Sequence, residues 1–351
     1  MVGRRRLKPT GAWEVAALSY SLPDDTYLRD SRNAISMGIS PSDERIHLAF
    51  NMHDSELFYI GSQSDMTSVA GHSLSWGGHR FGIMINKLAG TPIESVVAYP
   101  QFLVSPTNYL QMFYRVGTVV PPESTPPQAK AAVGLDPSSH LAQHMRGRLI
   151  QRRTYFIQSG DLGRNWNTVK NNPVAKTGST PSLAVDDLYV RADDVGINQA
   201  MMNSESMVVT SSKSSTLPFT LVSHVPSASL SCSTDWQNDR IAYGRNYLLR
   251  RVSGGFNKTL IDFPLNGWGT SHLVLDSKDN AYVIYNDLRV VRGSKASGWL
   301  TWTLLSDFGS ELGYSSASYA IDKSRSQTEN VVSLLFQMPT GVRVIDIVLN
   351  P

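Results

Sequence analysis

Ser159-Gly-Asp-Leu-Gly-Arg-Asn-Trp166 fits the Asp-box pattern S-x-D-x-G-x-x-W. In that hairpin Asp161 can accept backbone N–H bonds, Gly163 supplies the turn conformation and Trp166 packs between neighbouring sheets. The pattern points to a β-propeller, and its role there is structural, because such hairpins lie at the blade periphery. Two further stretches, Asp43-Glu-Arg-Ile-His-Leu-Ala-Phe50 and Asp276-Ser-Lys-Asp-Asn-Ala-Tyr-Val-Ile-Tyr285, each feed a polar turn into an apolar strand, and Met145-Arg-Gly-Arg-Leu-Ile150 is a weaker copy. Short runs of Val, Ile, Tyr, Phe and Thr recur between Gly, Pro, Asn, Asp and Ser, while helical periodicity is scarce. The expected fold is all-β, a seven-bladed β-propeller: at roughly 40–50 residues per blade the chain has room for seven, one of which can be incomplete.

The chain has 351 residues, of which 41% are hydrophobic and 17% charged, enough to bury a large core. The formal net charge is only +3. The one basic cluster, Arg4-Arg5-Arg6-Leu-Lys8, reads as a solvated tail over residues 1–12, since no aromatic residues interleave with it as in a nucleic-acid arm. Residues 13–351 then form a single propeller domain. Val119-Val-Pro-Pro-Glu-Ser-Thr-Pro-Pro-Gln-Ala-Lys130, continuing to His144 without a strand signal, is a Pro-rich insertion near 119–144.

A single cysteine, Cys232, excludes an internal disulfide and reads as a small buried apolar residue. No run of about 18 apolar residues exists, so no membrane span is expected. Met1 to Thr10 lacks the apolar core of a signal peptide. Walker, HExxH, CxxC and dinucleotide motifs are absent, and His72, His79, His140, His144, His224 and His272 have no metal-ligand spacing. Neither metal nor cofactor is expected. A propeller of this size needs no partner to close its sheets, so a monomer is expected.

Chemistry concentrates in the first third. Arg45-Ile-His-Leu-Ala-Phe-Asn-Met-His53, Tyr99-Pro-Gln-Phe102 and Phe113-Tyr-Arg115 put a histidine, a tyrosine and an arginine on short apolar strands. Such a trio could remove a proton beside a carboxylate. Each has a plainer reading on its own: a strand-end histidine, a tyrosine capping a strand, an arginine in a surface ion pair. His47 alternates with apolar neighbours and reads as a packing residue.

Taken with Ser31-Arg-Asn-Ala-Ile-Ser-Met-Gly-Ile39, Leu57-Phe-Tyr59, Ile197-Asn-Gln199 and Val331-Val-Ser-Leu-Leu-Phe-Gln337, these stretches resemble the BNR-repeat family. Its characterised members are seven-bladed-propeller polysaccharide lyases, among them ulvan lyases and the fungal rhamnose-glucuronate lyase. The resemblance runs over residues 13–351 and is strongest in the first third.

The resemblance implies β-elimination at a glucuronate or iduronate of an acidic polysaccharide, outside the cell. Removing the C5 proton beside an already negative carboxylate requires that the charge be neutralised, and Arg115 is the candidate guanidinium. Tyr99 matches the family's proton-transfer tyrosine, with His53 as carboxylate binder or partner base, the three converging from neighbouring blades. Arg32 and Asn33 are implied substrate binders. The family commonly has histidine where this chain has Arg32, which could clamp the carboxylate but cannot act as a base. That departure motivates an alternative, a non-catalytic glycan-binding propeller. A third reading, a sialidase-type hydrolase, rests on the Asp-box alone and lacks the N-terminal arginine motif it needs. An aromatic lining the family's cleft corresponds to Tyr155 or Phe156, in an ambiguous register. Asn257-Lys-Thr259 is the one glycosylation sequon.

Overall fold

The computed structural model describes residues 1–6, 11–20, 35–50, 53–68, 71–86, 97–104, 110–116, 140–143, 153–159, 165–168, 170–176, 191–195, 199–201, 206–210, 217–231, 233, 235–253, 255–267, 270–312, 319–338 and 341–349. Cys232 and the repeat-like stretch at 145–150 lie outside them, as does most of the Pro-rich insertion. The described residues are mostly strand with few helices, as the patterning predicts. The chain divides into two compact units, Met1–Pro137 with Asp161–Gly163, and Ser138–Gly160 with Arg164–Pro351.

In the first unit β1 (Val2–Arg4) pairs antiparallel with β2 (Glu14–Ala16). Part of the basic N-terminal segment is therefore engaged. Arg4 pairs with Glu14 at 2.9 Å, donates to the carbonyls of Gly71 and Leu74, and lies 4.6 Å from the Trp76 ring centroid. A guanidinium with a carboxylate, two carbonyls and a π-face is well solvated by protein, which is why this strand end is held.

Two three-stranded sheets follow. One joins β3 (Ile35–Ile39), β4 (Ile46–Phe50) and β6 (Tyr59–Gly61) in that order; the other joins β5 (His53–Ser55), β7 (Val97–Val104) and β8 (Leu110–Val116). Ile46, Leu48, Phe50, Leu57, Phe58, Ile60, Met66 and Val97 form the unit's core. The turn into β4 is made by Asp43-Glu44-Arg45, in which Glu44 is left-handed at φ 53° and the Asp43 carboxylate accepts from Arg45 Nε at 2.8 Å.

The second unit opens with β9 (His140–Gln143), β10 (Arg153–Ile157) and β13 (Arg191–Asp194), in the order β13-β10-β9, and with the pair β11 (Asn165–Asn167) and β12 (Pro173–Lys176). His140–Gln143 falls inside the stretch expected to carry no strand. It is an edge strand held by backbone pairing to β10, which leaves no side-chain pattern to read. Two four-stranded meanders come next: β14 (Ser206–Val209) to β15 (Pro218–His224), β16 (Arg245–Val252) and β17 (Gly255–Pro264), then β18 (His272–Leu275) to β19 (Ala281–Ile284), β20 (Arg289–Gly293) and β21 (Trp302–Asp307). The last sheet is β22 (Tyr319–Asp322), β23 (Val331–Met338) and β24 (Gly341–Val348).

Strand alternation explains how these sheets stack. Leu273, Leu275, Ala281, Val283 and Val291 join a core with Phe219, Leu221, Leu248 and Ile261 of the preceding sheet. Their neighbours in sequence, Val274, Tyr282, Ile284 and Val290, join a core with Val332, Leu334 and Phe336 of the following one. The β18–β21 sheet is thus apolar on both faces, and β19 is a continuous buried run, as a sheet clasped between two others must be.

Polar residues in this unit fix turns. Asp276, fully buried, accepts from the backbone N–H of Lys278 and Asn280, the Asn280 side chain and the Tyr282 hydroxyl, at 2.8 to 3.0 Å. Asp287-Leu288-Arg289 repeats the Asp43 turn, with Leu288 at φ 63° and Asp287 accepting from Arg289 Nε at 2.7 Å. A helix not anticipated from the sequence, Trp236–Tyr243, is capped by Asp235 and anchored by the fully buried Arg240, which donates to the carbonyls of Ala200 and Ser223 and to the Ser223 hydroxyl. The rings of His224 and Tyr247 stack 4.1 Å apart and 2° from parallel, with the Lys258 ammonium 4.5 Å from the Tyr247 ring.

Candidate active site

The backbones of His53, Tyr99 and Arg115 all belong to the β5-β7-β8 sheet. His53 is the partner of Ala98, and Ala98 on its other side is the partner of Arg115. Neighbouring strands lie about 4.8 Å apart, so the Cα atoms of His53 and Arg115 flank β7 about 10 Å from one another. Tyr99 follows Ala98 directly. The expectation that they come from neighbouring blades is thus corrected: adjacent strands of one sheet supply all three. The side chains of His53, Tyr99 and Arg115, and the residues Arg32 and Asn33, lie outside what is described.

The ladder breaks at this row. Between β7 and β8 the register shifts between Ala98 and Gln101, and between β5 and β7 it shifts between His53 and Ser55. Pro100, which is buried, has no N–H to contribute to the ladder. An irregularity of this kind re-aims side chains, and such features gather beside functional sites.

The sheet containing β4 brings a second group of residues to the same unit. His47 lies opposite Gly38 of β3 on one side and Gly61 of β6 on the other. Each glycine leaves room for an aromatic ring. A Cβ on Gly38 would lie 2.6 Å from Phe102 Cβ, and one on Gly61 would lie 3.4 Å from the Tyr59 hydroxyl. Phe102 comes within 6.2 Å of the His47 ring, centroid to centroid, and the Tyr59 hydroxyl meets His47 Nδ1 in a hydrogen bond. The two motifs that carry the resemblance, Arg45 to His53 and Tyr99 to Phe102, therefore pack on one another.

Burial depresses the basicity of His47, against a smaller opposing pull from Asp43. Burial likewise pushes the Tyr59 phenol up. Near neutral pH the pair is an imidazole and a phenol, both uncharged. Sequence reasoning took His47 for packing alone; the signal it lacked was the pair of glycines on either flank.

Elsewhere the motif residues are structural. Ser159 and Trp166 of the Asp-box are buried, while Asp161 and Gly163 fall outside the described residues. Gln199 is buried and donates to the Ser231 carbonyl at 3.0 Å. Phe156 is core, edge-on to Phe256 at 5.2 Å, and the Tyr155 side chain is not among those described.

Comparison with known proteins adds the following. Residues 1–126 match the family described as BNR repeat-containing family member, the third of the chain where the motif resemblance is strongest. No curated protein matches the sequence. The fold is similar to the crystal structure of the polysaccharide lyase Uly1, with a TM-score of 0.58 and 14% identity over 91% of this chain and 78% of that one. At that identity the likeness speaks for the fold. AofleA from Arthrobotrys oligospora aligns over 91% of this chain and 87% of its own at 10% identity, but its TM-score of 0.30 carries no argument. The chain resembles the BNR-repeat family in sequence and a polysaccharide lyase in fold.

Proposed function

We propose that the protein is a polysaccharide lyase built as a seven-bladed propeller, which cleaves an acidic polysaccharide at a uronic acid by β-elimination outside the cell. The observation that carries this reading is the backbone row His53–Ala98–Arg115, with Tyr99 at the break in the ladder. It sets the backbones of His53 and Arg115 on the two flanks of β7, with Tyr99 next in sequence to the residue between them, which supports reading the three as one group. The likeness in fold to Uly1 and the family match over residues 1–126 support the same reading.

In this mechanism Arg115 grips the uronate carboxylate with two parallel N–H bonds, so that charge developing at C5 is spread onto a neutralised group. The Tyr99 phenolate, stabilised by that cation, takes the C5 proton. The C5–H electrons form the C4–C5 double bond, the C4–O4 bond breaks, and O4 leaves with a proton returned by Tyr99 or His53. Arg32 and Asn33 hold the substrate beside them.

Incubation with glucuronate-rich glycans tests the proposal. An ultraviolet-absorbing 4,5-unsaturated uronate supports elimination, whereas new reducing ends without the chromophore would overturn it in favour of hydrolysis. Arg32 in place of the family histidine favours a second reading, a glycan-binding propeller without catalysis. Retention on a glycan column with no cleavage would select that one.

A further inference from the structure

We propose that the outer face of the β1–β2 ribbon is an accessory platform for an acidic polysaccharide, on which Trp13 stacks against a sugar ring and Arg5 meets a carboxylate. The class of ligand rests on the lyase reading; the platform itself uses residues to which that reading gives no part.

Register sorts the ribbon into two faces. Val2 pairs with Ala16, Gly3 with Val15 and Arg4 with Glu14, so the side chains of Val2, Arg4 and Ala16 leave on one side and those of Arg5, Trp13 and Val15 on the other. The first face is bound to the interior of its unit. Ala16 is buried, Val2 packs on the core, and the Val2 carbonyl accepts from Trp76 Nε1 at 3.1 Å. Arg4 is fixed by Glu14 and by the carbonyls of Gly71 and Leu74. The second face is turned to water: Trp13 is 49% exposed and Val15 59%.

Trp13 is nonetheless held in place. A Cβ on Gly3 would lie 3.3 Å from Trp13 Cε3 and 3.5 Å from Cζ3, so the indole rests on backbone that the missing side chain leaves open. The Arg5 guanidinium lies 5.1 Å from the indole ring centroid. The aromatic partner of the basic segment is thus supplied by the returning strand and not by the segment's own sequence. A fixed, half-exposed indole offers its negative π-face to the C–H hydrogens along one side of a pyranose ring, and has little side-chain freedom left to lose on binding. The neighbouring guanidinium presents parallel N–H donors that match a uronate carboxylate. The row of Gly3, Arg5, Trp13 and Val15 carries this cation and no carboxylate, which favours an anionic ligand. The same charge disfavours a second copy of the chain, since a self-paired patch would set guanidinium toward guanidinium. A single-stranded nucleic acid is followed by successive aromatic and basic residues, whereas this face holds one indole.

Affinity electrophoresis of the full chain through gels holding sodium polyglucuronate or neutral dextran tests the proposal. Each protein carries Arg115→Ala, which silences the carboxylate grip of the lyase reading and leaves the polymer uncut. Polyglucuronate should retard this chain, and dextran should retard it less. Adding Trp13→Ala should weaken binding by about tenfold, the usual consequence of losing an anchoring aromatic, whereas Trp13→Tyr keeps a stacking face and should retain most of it. Arg5→Gln should also weaken binding and flatten its dependence on salt. Both Trp13 variants should unfold at the same urea midpoint as the Arg115→Ala chain, because the side chain they change is half exposed. No retardation of the Arg115→Ala chain, or equal retardation after Trp13→Ala, overturns the platform. Equal retardation by dextran overturns the role of Arg5, and tighter binding of oligothymidylate than of polyglucuronate overturns the class of ligand. A parent chain that releases no unsaturated uronate would remove the lyase reading while the retardation is still read, so the two failures are distinguishable.

Discussion

Phe102 fills the space that a side chain at Gly38 would need: a Cβ there would lie 2.6 Å from Phe102 Cβ, 2.7 Å from its Cγ and 2.9 Å from Leu110 Cδ1. This contact joins the sheet of β3 and β4 to the sheet that carries His53, Tyr99 and Arg115. Gly38→Ala must push the two apart, at a cost of about 1–3 kcal/mol by overpacking. Urea unfolding measures that cost, and pairing Gly38→Ala with Phe102→Ala should recover part of it. Additive losses in the double variant would mean that the two positions are not coupled.

If the lyase reading holds, Arg115→Lys and Arg115→Ala should differ. Lysine keeps the charge but loses the two-point grip, whereas alanine leaves the substrate carboxylate unneutralised. Tyr99→Phe removes the proton carrier and should lower kcat by about 10²–10⁴-fold, the usual worth of general acid–base catalysis. Full activity in Tyr99→Phe, followed by unsaturated-uronate absorbance, would remove Tyr99 from the mechanism.

Acid should weaken the second unit before its carboxylates titrate at their ordinary values. His224 and His272 are each lowered by burial to about 3, so the folded chain binds fewer protons than the unfolded chain below pH 6.5. Their contribution is intact above that pH and is lost progressively as pH falls from 6.5 toward 3. At pH 5 each histidine should cost about 2 kcal/mol relative to pH 7.5. Denaturant titrations at the two pH values measure the loss, and His224→Gln should reduce it by roughly half. A flat profile across this range would contradict the buried, neutral state of both rings.

Removing the Asp276 carboxylate should unravel the β18–β19 turn. Its four donors include two backbone N–H groups and a buried tyrosine hydroxyl, which would be left without an acceptor. Asp276→Ala should therefore cost about 3 kcal/mol or more. Asp276→Asn fills the same space but offers one acceptor oxygen in place of two, so it should also destabilise, by less. Hydrogen exchange at Lys278 and Asn280 reports the turn directly.

The sequence carried the strands better than the site. Ala281–Ile284 and its polar lead-in at Asp276 are legible because apolar side chains alternate between two cores while the carboxylate closes the turn locally. Helix Trp236–Tyr243 is not legible, since it is short and its anchor, Arg240, depends on carbonyls 17 and 40 residues away. His53, Tyr99 and Arg115 were singled out by resemblance to a family; their spacing along the chain does not encode that two of them flank Ala98. The His47–Tyr59 hydrogen bond was missed for a related reason. Gly38 and Gly61 become meaningful only once the register sets them on either side of His47.

The parallel stack of His224 on Tyr247 has a spectroscopic consequence. At this separation each ring sits in the shielding cone of the other, so the imidazole protons of His224 should resonate upfield of those of an unstacked histidine. The molecule carries its own reporter: the chemical shift of one ring would follow acid-induced opening of the β14–β17 sheet without any added label.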